Sequence, residues 1–437
     1  MVLLCFRRLG EAKKDVLKSA TARVETLVVE ERLGYGEQVK LAFDLAVRLD
    51  LDVVVTVDGA LRYPLQDVPK LLAALEAGAD LAVASPAGED LSTRAGAWLA
   101  ARLVNFLTQA RLSSWHSGFR AYRVDALSGI PYANNLNDRG FNTEILIQLL
   151  IAGKRIALVS TRSYPHAPLS FPARCRFAWG MLHAAGLSLL HQCGLFYQPQ
   201  FDLGPALEAY GLKLGYCSSH SLALAAIPDG MRVLDIGCGN GAFDRLLMEH
   251  GCHMHGMDRH AARDVTGLDG YTSIDVDVRT HTFSPRGYDY VLLLDVLEHL
   301  RQSEALLAYL RERSGPAKPC VLISIPNVAF FVIRLRLLCG SFQYGRLGIL
   351  DLTHTRLFTE QSIRSLLVRN GYQVDSVIGI PAPYPKALGR NMVSRALLAL
   401  NQACIRLHRR LFSYQFLIVA RPRPTLEDLL PDAQPHD

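Results

Sequence analysis

Short apolar runs of five or six residues recur along the chain, separated by stretches whose apolar positions repeat every three to four residues. Runs of the first kind suit strands buried on both faces, and stretches of the second kind suit helices packed on such a sheet. In the first third of the chain this pattern predicts a helix over 11–23 and a strand over 25–29. After Gly34-Tyr35-Gly36 it predicts a helix over 39–49 and a strand over 52–57 that runs into Asp58-Gly59-Ala60. A helix over 68–78 and a strand over 80–85 follow. The pattern resumes near residue 230, with strands over 232–236, 252–257, 271–274, 289–294 and 320–325, and helices over 242–248 and 362–370. Strands over 371–377 and 414–420 close it. Strands alternating with helices imply an α/β protein, and the gap between the two series implies two sheets.

The most informative stretch is Arg232-Val233-Leu234-Asp235-Ile236-Gly237-Cys238-Gly239-Asn240-Gly241. A buried strand ends in an acid and breaks into alternating glycines before a helix, which permits a tight turn and close approach of a ligand to the backbone. Phosphate-binding turns share this form. The later strands narrow the choice, because each ends in carboxylates: Asp258 after the second, Asp275 and Asp277 after the third, Asp295 and Glu298 after the fourth. Acids in these places suit a nucleoside that offers hydroxyls and an amino group, whereas phosphate would favour a lysine or arginine in the turn.

Through 235–241, Asp258 and 295–299, the stretch 215–421 resembles the class I S-adenosylmethionine-dependent methyltransferases. The resemblance implies a Rossmann-like seven-stranded sheet with S-adenosylmethionine as cofactor, held by Asp235, Gly237, Cys238, Gly239, Gly241, Asp258, Asp277 and Asp295. It also implies a final strand that runs antiparallel beside the fifth. A Rossmann domain for a dinucleotide is the competing reading, weakened by the absence of its third-glycine spacing.

Methyl transfer to a hydroxyl requires alignment and removal of a proton. Two histidines are placed for this. His299 follows Asp295 at the mouth of the fourth strand, and His354 lies in the polar run 348–359, with Asp351 three residues before it as a carboxylate that could orient its imidazole. A structural Asp351–His354 hydrogen bond and a cofactor role for His299 stay open. Upstream, Tyr210 to Lys213 (210–213) and 218–220 fall where such enzymes build a lid, and His220 is a candidate for the methionine end of the cofactor. The segment 326–359 resembles methyltransferase domains found beside glycan-assembly transferases, which implies a sugar or lipid-linked glycan acceptor. The fourth strand lacks the Asn/Asp-Pro-Pro-Tyr element of enzymes that methylate bases, so no nucleic-acid partner is expected.

Three islands of the N-terminal series carry a second resemblance: Gly34-Tyr35-Gly36 with 52–64, then Trp115-His116-Ser117-Gly118-Phe119-Arg120, then Phe141-Asn142-Thr143-Glu144. Together, over about 25–165, they are similar to family 2 (GT-A) glycosyltransferases of the polyprenyl-phosphate sugar transferase type. The resemblance implies a metal-chelating D-x-D element after the strand over 52–57, but Ala60 stands at its second acid. Ser114 and Asn142 replace two further family acids, and the family's first strand has no clear counterpart before Gly34. A hard cation needs charged oxygen ligands. The expectation is therefore an incomplete GT-A-like parallel sheet, degenerate as a catalyst, with Asp58, Arg120 and Glu144 retained. A bifunctional enzyme and a non-catalytic SAM- or glycan-binding scaffold are the rival functions.

Length and composition set the frame. The 437 residues exceed one ordinary core, and half are hydrophobic and a fifth charged, as in globular proteins. The net charge of +6 is too small to indicate nucleic acid by itself. Arginines crowd at 174–176 and 395–410, which favours a peripheral contact with an anionic membrane surface. Nine cysteines without a C-x-x-C pair indicate neither a disulfide framework nor a zinc site, so no metal is expected and a reducing cytoplasm is the simplest home. No secretory signal is expected, since Arg7-Arg8 cut short the apolar start. The expected layout is a glycosyltransferase-like domain over 1–165, a helical basic connector over 166–214, the methyltransferase domain over 215–421 and a frayed tail over 422–437.

Overall fold

The computed structural model describes residues 2–4, 33–57, 63–86, 95–115, 117–162, 170–203, 212–259, 265, 267–278, 283–346 and 348–429. The segments 11–29, 58–62, 204–211 and 430–437 lie outside them. So do the helix and strand expected before residue 30, the Asp58-Gly59-Ala60 element, His116 and Tyr210. The chain forms two compact units, one of residues 1–192 with 198–207, the other of 193–197 with 208–437.

The first unit holds a five-stranded sheet of β1 (Val2–Leu4), β2 (Val53–Thr56), β3 (Leu81–Pro86), β4 (Arg120–Arg123) and β5 (Ile156–Thr161), in the order β1-β2-β4-β3-β5. β1 pairs parallel with β2 and β3 with β5, while β4 runs antiparallel to both its neighbours. The sheet is therefore mixed, which corrects the expectation of a parallel one. β4 escapes the apolar-run pattern because it is four residues long with an arginine at each end. A further correction is the strand at Val2–Leu4, which supplies the β1 position where the sequence shows no counterpart before Gly34.

Helix Tyr35–Arg48 begins inside the Gly34-Tyr35-Gly36 element rather than after it. The Gly34 N–H donates to the Glu37 carboxylate at 2.6 Å and the Gly36 N–H to the Asn137 carbonyl at 2.8 Å. A Cβ on Gly36 would overlap the Leu136 carbonyl, so the glycine serves backbone packing. The stretch read as a separate connector, 166–214, is divided. Helix Phe171–Gln192 buries Met181, Ala184 and Ala185 in the first unit's core, and 193–197 belongs to the second unit.

The second unit is built on a seven-stranded sheet. Its strands are β6 (Arg232–Ile236), β7 (His253–Asp258), β8 (Gly270–Ser273), β9 (Tyr290–Leu294), β10 (Cys320–Pro326), β11 (Tyr372–Ile380) and β12 (Gln415–Pro422). Their order is β11-β12-β10-β9-β6-β7-β8. β12 runs antiparallel between β10 and β11, and the other pairings are parallel. Successive residues of the central strands point to opposite faces. Leu234, Val291, Leu293, Val321 and Ile323 join one core, and Val233, Leu292 and Leu322 join the other with Phe243 and Leu247. That double burial is why β6, β9 and β10 read as largely apolar runs without a period-two alternation. It also sends all their carboxyl ends, with Asp235, Asp295 and Pro326, to one edge of the sheet.

Candidate functional site

The glycine turn after β6 forms as the sequence predicts. Gly237, Gly239 and Gly241 have φ of +88°, +59° and +69°, and Gly241 leads into helix Ala242–Glu249. The Gly237 N–H donates to the Met257 carbonyl at 2.7 Å, and the Gly239 N–H to the Asp258 carboxylate at 2.8 Å. A Cβ on Gly237 would meet Val296 Cγ2 at 2.6 Å, so the turn is packed against the segment that leaves β9. Over Gly239, no atom of the described residues lies within 4 Å of an added Cβ.

Beneath the turn lies a pair of acids, of which the sequence singled out one. Asp235 is buried, and Asp244 on the following helix is fully so. Burial, with each acid's nearness to other carboxylates, pushes Asp235 well above the usual carboxylate range, and burial pushes Asp244 up to about 6. Asp244 therefore takes up a proton near pH 6, well above the range of an exposed carboxylate. The signal for Asp244 was its place one turn into the helix, over Gly256, where a side chain would have met it.

Asp295 directly follows β9 with φ of +59°, a left-handed conformation uncommon outside glycine and concentrated at functional sites. Its Oδ2 pairs with Lys213 Nζ at 2.8 Å, and its Oδ1 accepts from Ser324 Oγ at 2.6 Å and from Gln415 Nε2. Burial would raise its pKa, but Lys213 and Ser324 outweigh that and hold it below the usual range. Lys213, Ser324 and Gln415 come from three separated segments, and nothing in the sequence joins them. His220 is close by: its Nδ1 accepts from the Lys213 N–H at 3.1 Å, and its ring stacks on Phe243 at 4.8 Å. Burial lowers its pKa to about 4, so it is neutral. Asp277 takes a capping position, its Oδ1 accepting from the N–H groups of Arg301 and Gln302 at 2.9 and 3.3 Å.

The two candidate histidines do come together. The rings of His299 and His354 lie 4.8 Å apart, edge to face. The Asp351 carboxylate does not orient His354, a correction to the sequence expectation. Asp351 Oδ1 accepts from Thr353 N–H at 2.8 Å and Thr353 Oγ1 at 2.7 Å, the short local bonds natural to an Asp two residues before a threonine. The imidazole is held instead by the Ile349 carbonyl, 3.0 Å from His354 Nδ1, while His299 Nδ1 lies 3.2 Å from the Thr353 carbonyl. Burial lowers the His354 pKa.

Glu298, which the sequence showed but did not single out, completes this cluster. It is 1% exposed, and neither carboxylate oxygen has a hydrogen-bond partner among the described residues. Burial, then the charge of Asp295, raises its pKa well above the usual range. The Glu298 carbonyl accepts from the Thr355 and Arg356 N–H groups at 2.9 and 3.0 Å, which clamps the His354 segment to the end of β9. Glu298, His299 and His354 each bring one potential ligand atom within 4.8 Å of the others. No metal was expected from the sequence, because these residues converge only in the fold.

Of the residues retained in the N-terminal resemblance, Asp58 lies outside the described residues, and Arg120 and Glu144 have structural partners. Arg120 is fully buried and donates to the carbonyls of Ser117, Asn142 and Trp115 at 2.6, 3.0 and 3.2 Å. Glu144 accepts from the Leu136 N–H at 2.6 Å, and burial raises it to about 7.

Residues 209–377 match the methyltransferase domain family. The chain is 30% identical over 162 residues to a dolichyl-phosphate hexose transferase of Haloferax volcanii, covering 36% of this chain and 67% of that protein. Over those residues the two belong to one family. It is 29% identical over 161 residues to a ubiquinone biosynthesis O-methyltransferase of Hahella chejuensis, covering 35% of this chain and 61% of that one. The chain thus spans about two thirds or less of these relatives. Among solved structures, an Archaeoglobus fulgidus SAM-dependent methyltransferase matches with 20% identity, TM-score 0.32, and coverage of 46% of this chain and 94% of that one. A Burkholderia thailandensis 1,6-didemethyltoxoflavin-N1-methyltransferase with bound S-adenosylhomocysteine matches with 16% identity, TM-score 0.33, and coverage of 60% and 95%. The glycine turn, the clearance over Gly239 among the described residues and the Asp258 carboxylate beside it fit the cofactor of the matched family. The chain carries a class I S-adenosylmethionine-dependent methyltransferase domain, with S-adenosylmethionine as its cofactor.

Proposed function

We propose that this protein O-methylates a sugar hydroxyl of a lipid-linked glycan, and that its N-terminal unit is a family 2, GT-A-like glycosyltransferase domain without transferase activity. The observation that carries the first half is the Glu298–His299–His354 cluster, joined through Val296 to the turn that Gly237 begins. S-adenosylmethionine, when bound, supplies an electrophilic methyl group on a sulfonium.

What the chain must add is a place for the acceptor hydroxyl and a route for its proton. Asp258 and the glycine turn hold the nucleoside, with Asp258 as ribose partner. Asp235 and Asp244, both buried and acting on each other electrostatically, support the turn from below. Lys213 on Asp295 ties the segment before helix Ser219–Ala226 over the edge of the sheet. The His299–His354 pair receives the acceptor, and imidazole is the side chain whose ordinary pKa suits removal of a hydroxyl proton near neutrality.

The kinship with a dolichyl-phosphate hexose transferase supports a lipid-linked sugar as acceptor, and the O-methyltransferase relatives support oxygen as the atom methylated. Ala60 and the structural engagement of Arg120 and Glu144 support a silent first unit. No helix among the described residues is long and apolar enough to cross a membrane. We place the protein in the cytoplasm, peripheral to the membrane. Helix Met392–Leu407 supports that, exposing Met392, Leu400 and Leu407 beside Arg395 and Arg406.

Incubation with radiolabelled S-adenosylmethionine and extracted cell-envelope glycolipids tests the acceptor. Label is expected in the lipid fraction as an ether stable to mild base. Label confined to protein or to free quinone-type phenols would overturn the glycan reading. Manganese-dependent transfer from a sugar nucleotide would overturn the silent first unit.

A further inference from the structure

We propose that Glu298, His299 and His354 form the binding site of one divalent first-row metal ion, which holds and acidifies the acceptor hydroxyl. The inference rests on the methyltransferase reading and revises one step of it: imidazoles that bind an ion through Nε2 while donating through Nδ1 leave removal of the hydroxyl proton to the ion and water. Three independent features of the cluster point to a cation.

The first is the tautomer. A carbonyl oxygen can only accept, so Ile349 and Thr353 fix the proton of each imidazole on Nδ1. Each Nε2 then keeps its lone pair. A ring held through one nitrogen by a backbone carbonyl, with the other left free, is how metal-ligating histidines are oriented.

The second is the carboxylate. A buried side-chain acceptor with no partner is rare and costly. Glu298 has two such oxygens among the described residues, one of them within 4.8 Å of a ring nitrogen of each histidine, and its main chain is locked by Thr355 and Arg356. A cation between Glu298 and the two imidazoles would satisfy what the protein leaves unsatisfied. The neighbouring charges agree with that sign: Asp295 and Asp351 both act electrostatically on the cluster, with Lys213 already engaged by Asp295.

The third is the donor set. Two borderline imidazole nitrogens and one hard carboxylate make a mixed donor set, suited to zinc, manganese, iron or cobalt rather than to the cations that take all-oxygen cages. Three ligands leave a position open, as catalytic rather than structural sites do. The acceptor oxygen would fill it. In the transfer, that oxygen loses its proton to water and forms its bond to the methyl carbon as the carbon–sulfur bond breaks, leaving S-adenosylhomocysteine. The ion acts as a Lewis acid on the hydroxyl and undergoes no change of oxidation state.

Calorimetric titration of the chelator-stripped full chain tests this, with manganese chloride and zinc chloride used separately and S-adenosylhomocysteine titrated in parallel. One ion per chain is expected to bind for at least one of the two metals. His299→Ala, His354→Ala and Glu298→Gln should each weaken the ion by at least about tenfold and leave S-adenosylhomocysteine affinity within about twofold, which also certifies that each variant is folded. A wild-type chain that binds S-adenosylhomocysteine but neither ion up to about millimolar concentration overturns the metal site and leaves the methyltransferase reading standing. Ion binding that survives all three substitutions places the ion elsewhere and equally overturns it. Failure of S-adenosylhomocysteine itself to bind would strike the methyltransferase reading instead.

Discussion

Gly237→Ala strikes the point where the glycine turn meets the end of β9. The alanine must keep a φ of +88°, and a left-handed residue with a Cβ costs about 1–2 kcal/mol. Its Cβ would stand 2.6 Å from Val296 Cγ2, whereas carbon atoms pack at about 3.5–4.0 Å. Val296 is 7% exposed and belongs to the core on one face of the sheet, so it has little room to retreat. Overpacking of that kind adds about 1–3 kcal/mol. The expected loss is about 2–5 kcal/mol in the second unit, with weakened cofactor binding because the turn or Val296 must shift. Urea unfolding reads this, provided the second unit's transition is identified as the one that S-adenosylhomocysteine moves to higher urea. The double variant Gly237→Ala/Val296→Ala separates the two terms. It should recover the overpacking share, a coupling of about 1–3 kcal/mol, and keep the left-handed penalty. Additive effects, or a Gly237→Ala chain that unfolds and binds S-adenosylhomocysteine like wild type, would refute the reasoning.

His354→Ala should lower turnover by about a hundredfold or more at saturating cofactor with S-adenosylhomocysteine affinity unchanged, whereas Asp351→Asn should cost less than about tenfold, since its carboxylate serves Thr353. Equal losses in steady-state kinetics would restore Asp351 as the orienting acid. Asp244 titrates near 6 when folded and lower when unfolded, so its penalty is absent below about pH 4, grows as pH rises to about 6 and then levels off. Asp244→Asn should therefore raise the unfolding midpoint at pH 8 by more than at pH 5, and the reverse order would contradict the buried acid pair. The full chain should sediment with anionic vesicles at low salt and be released by salt, as arginines near such a surface contribute about 1 kcal/mol each. Leu400→Glu should weaken that binding, and a chain that never sediments would leave the helix at 392–407 without a membrane role.

The sequence by itself determined the second unit closely. Doubly buried strands show as largely apolar runs, so β6, β9 and β10 could be placed from hydropathy. A turn that needs positive φ shows as glycine at 237, 239 and 241. Both signals are local, because burial on two faces and a left-handed backbone each constrain the residue at its own position. The same locality failed for β4, whose short strand ends in Arg120 and Arg123, and for Val2–Leu4, too brief to carry a period. It failed again at the site. Asp351 and His354, three residues apart, suggested an orienting pair, but a carbonyl and a threonine took those bonds. Lys213 with Asp295, Asp235 with Asp244, and Glu298 with His299 and His354 join residues whose relation depends on strand order and on where each connecting segment returns. Hydrogen bonds and ion pairs act over about 3 Å in space regardless of separation along the chain. Only the tertiary structure could decide which of these acids are paired, which hold a proton, and which is left without a partner.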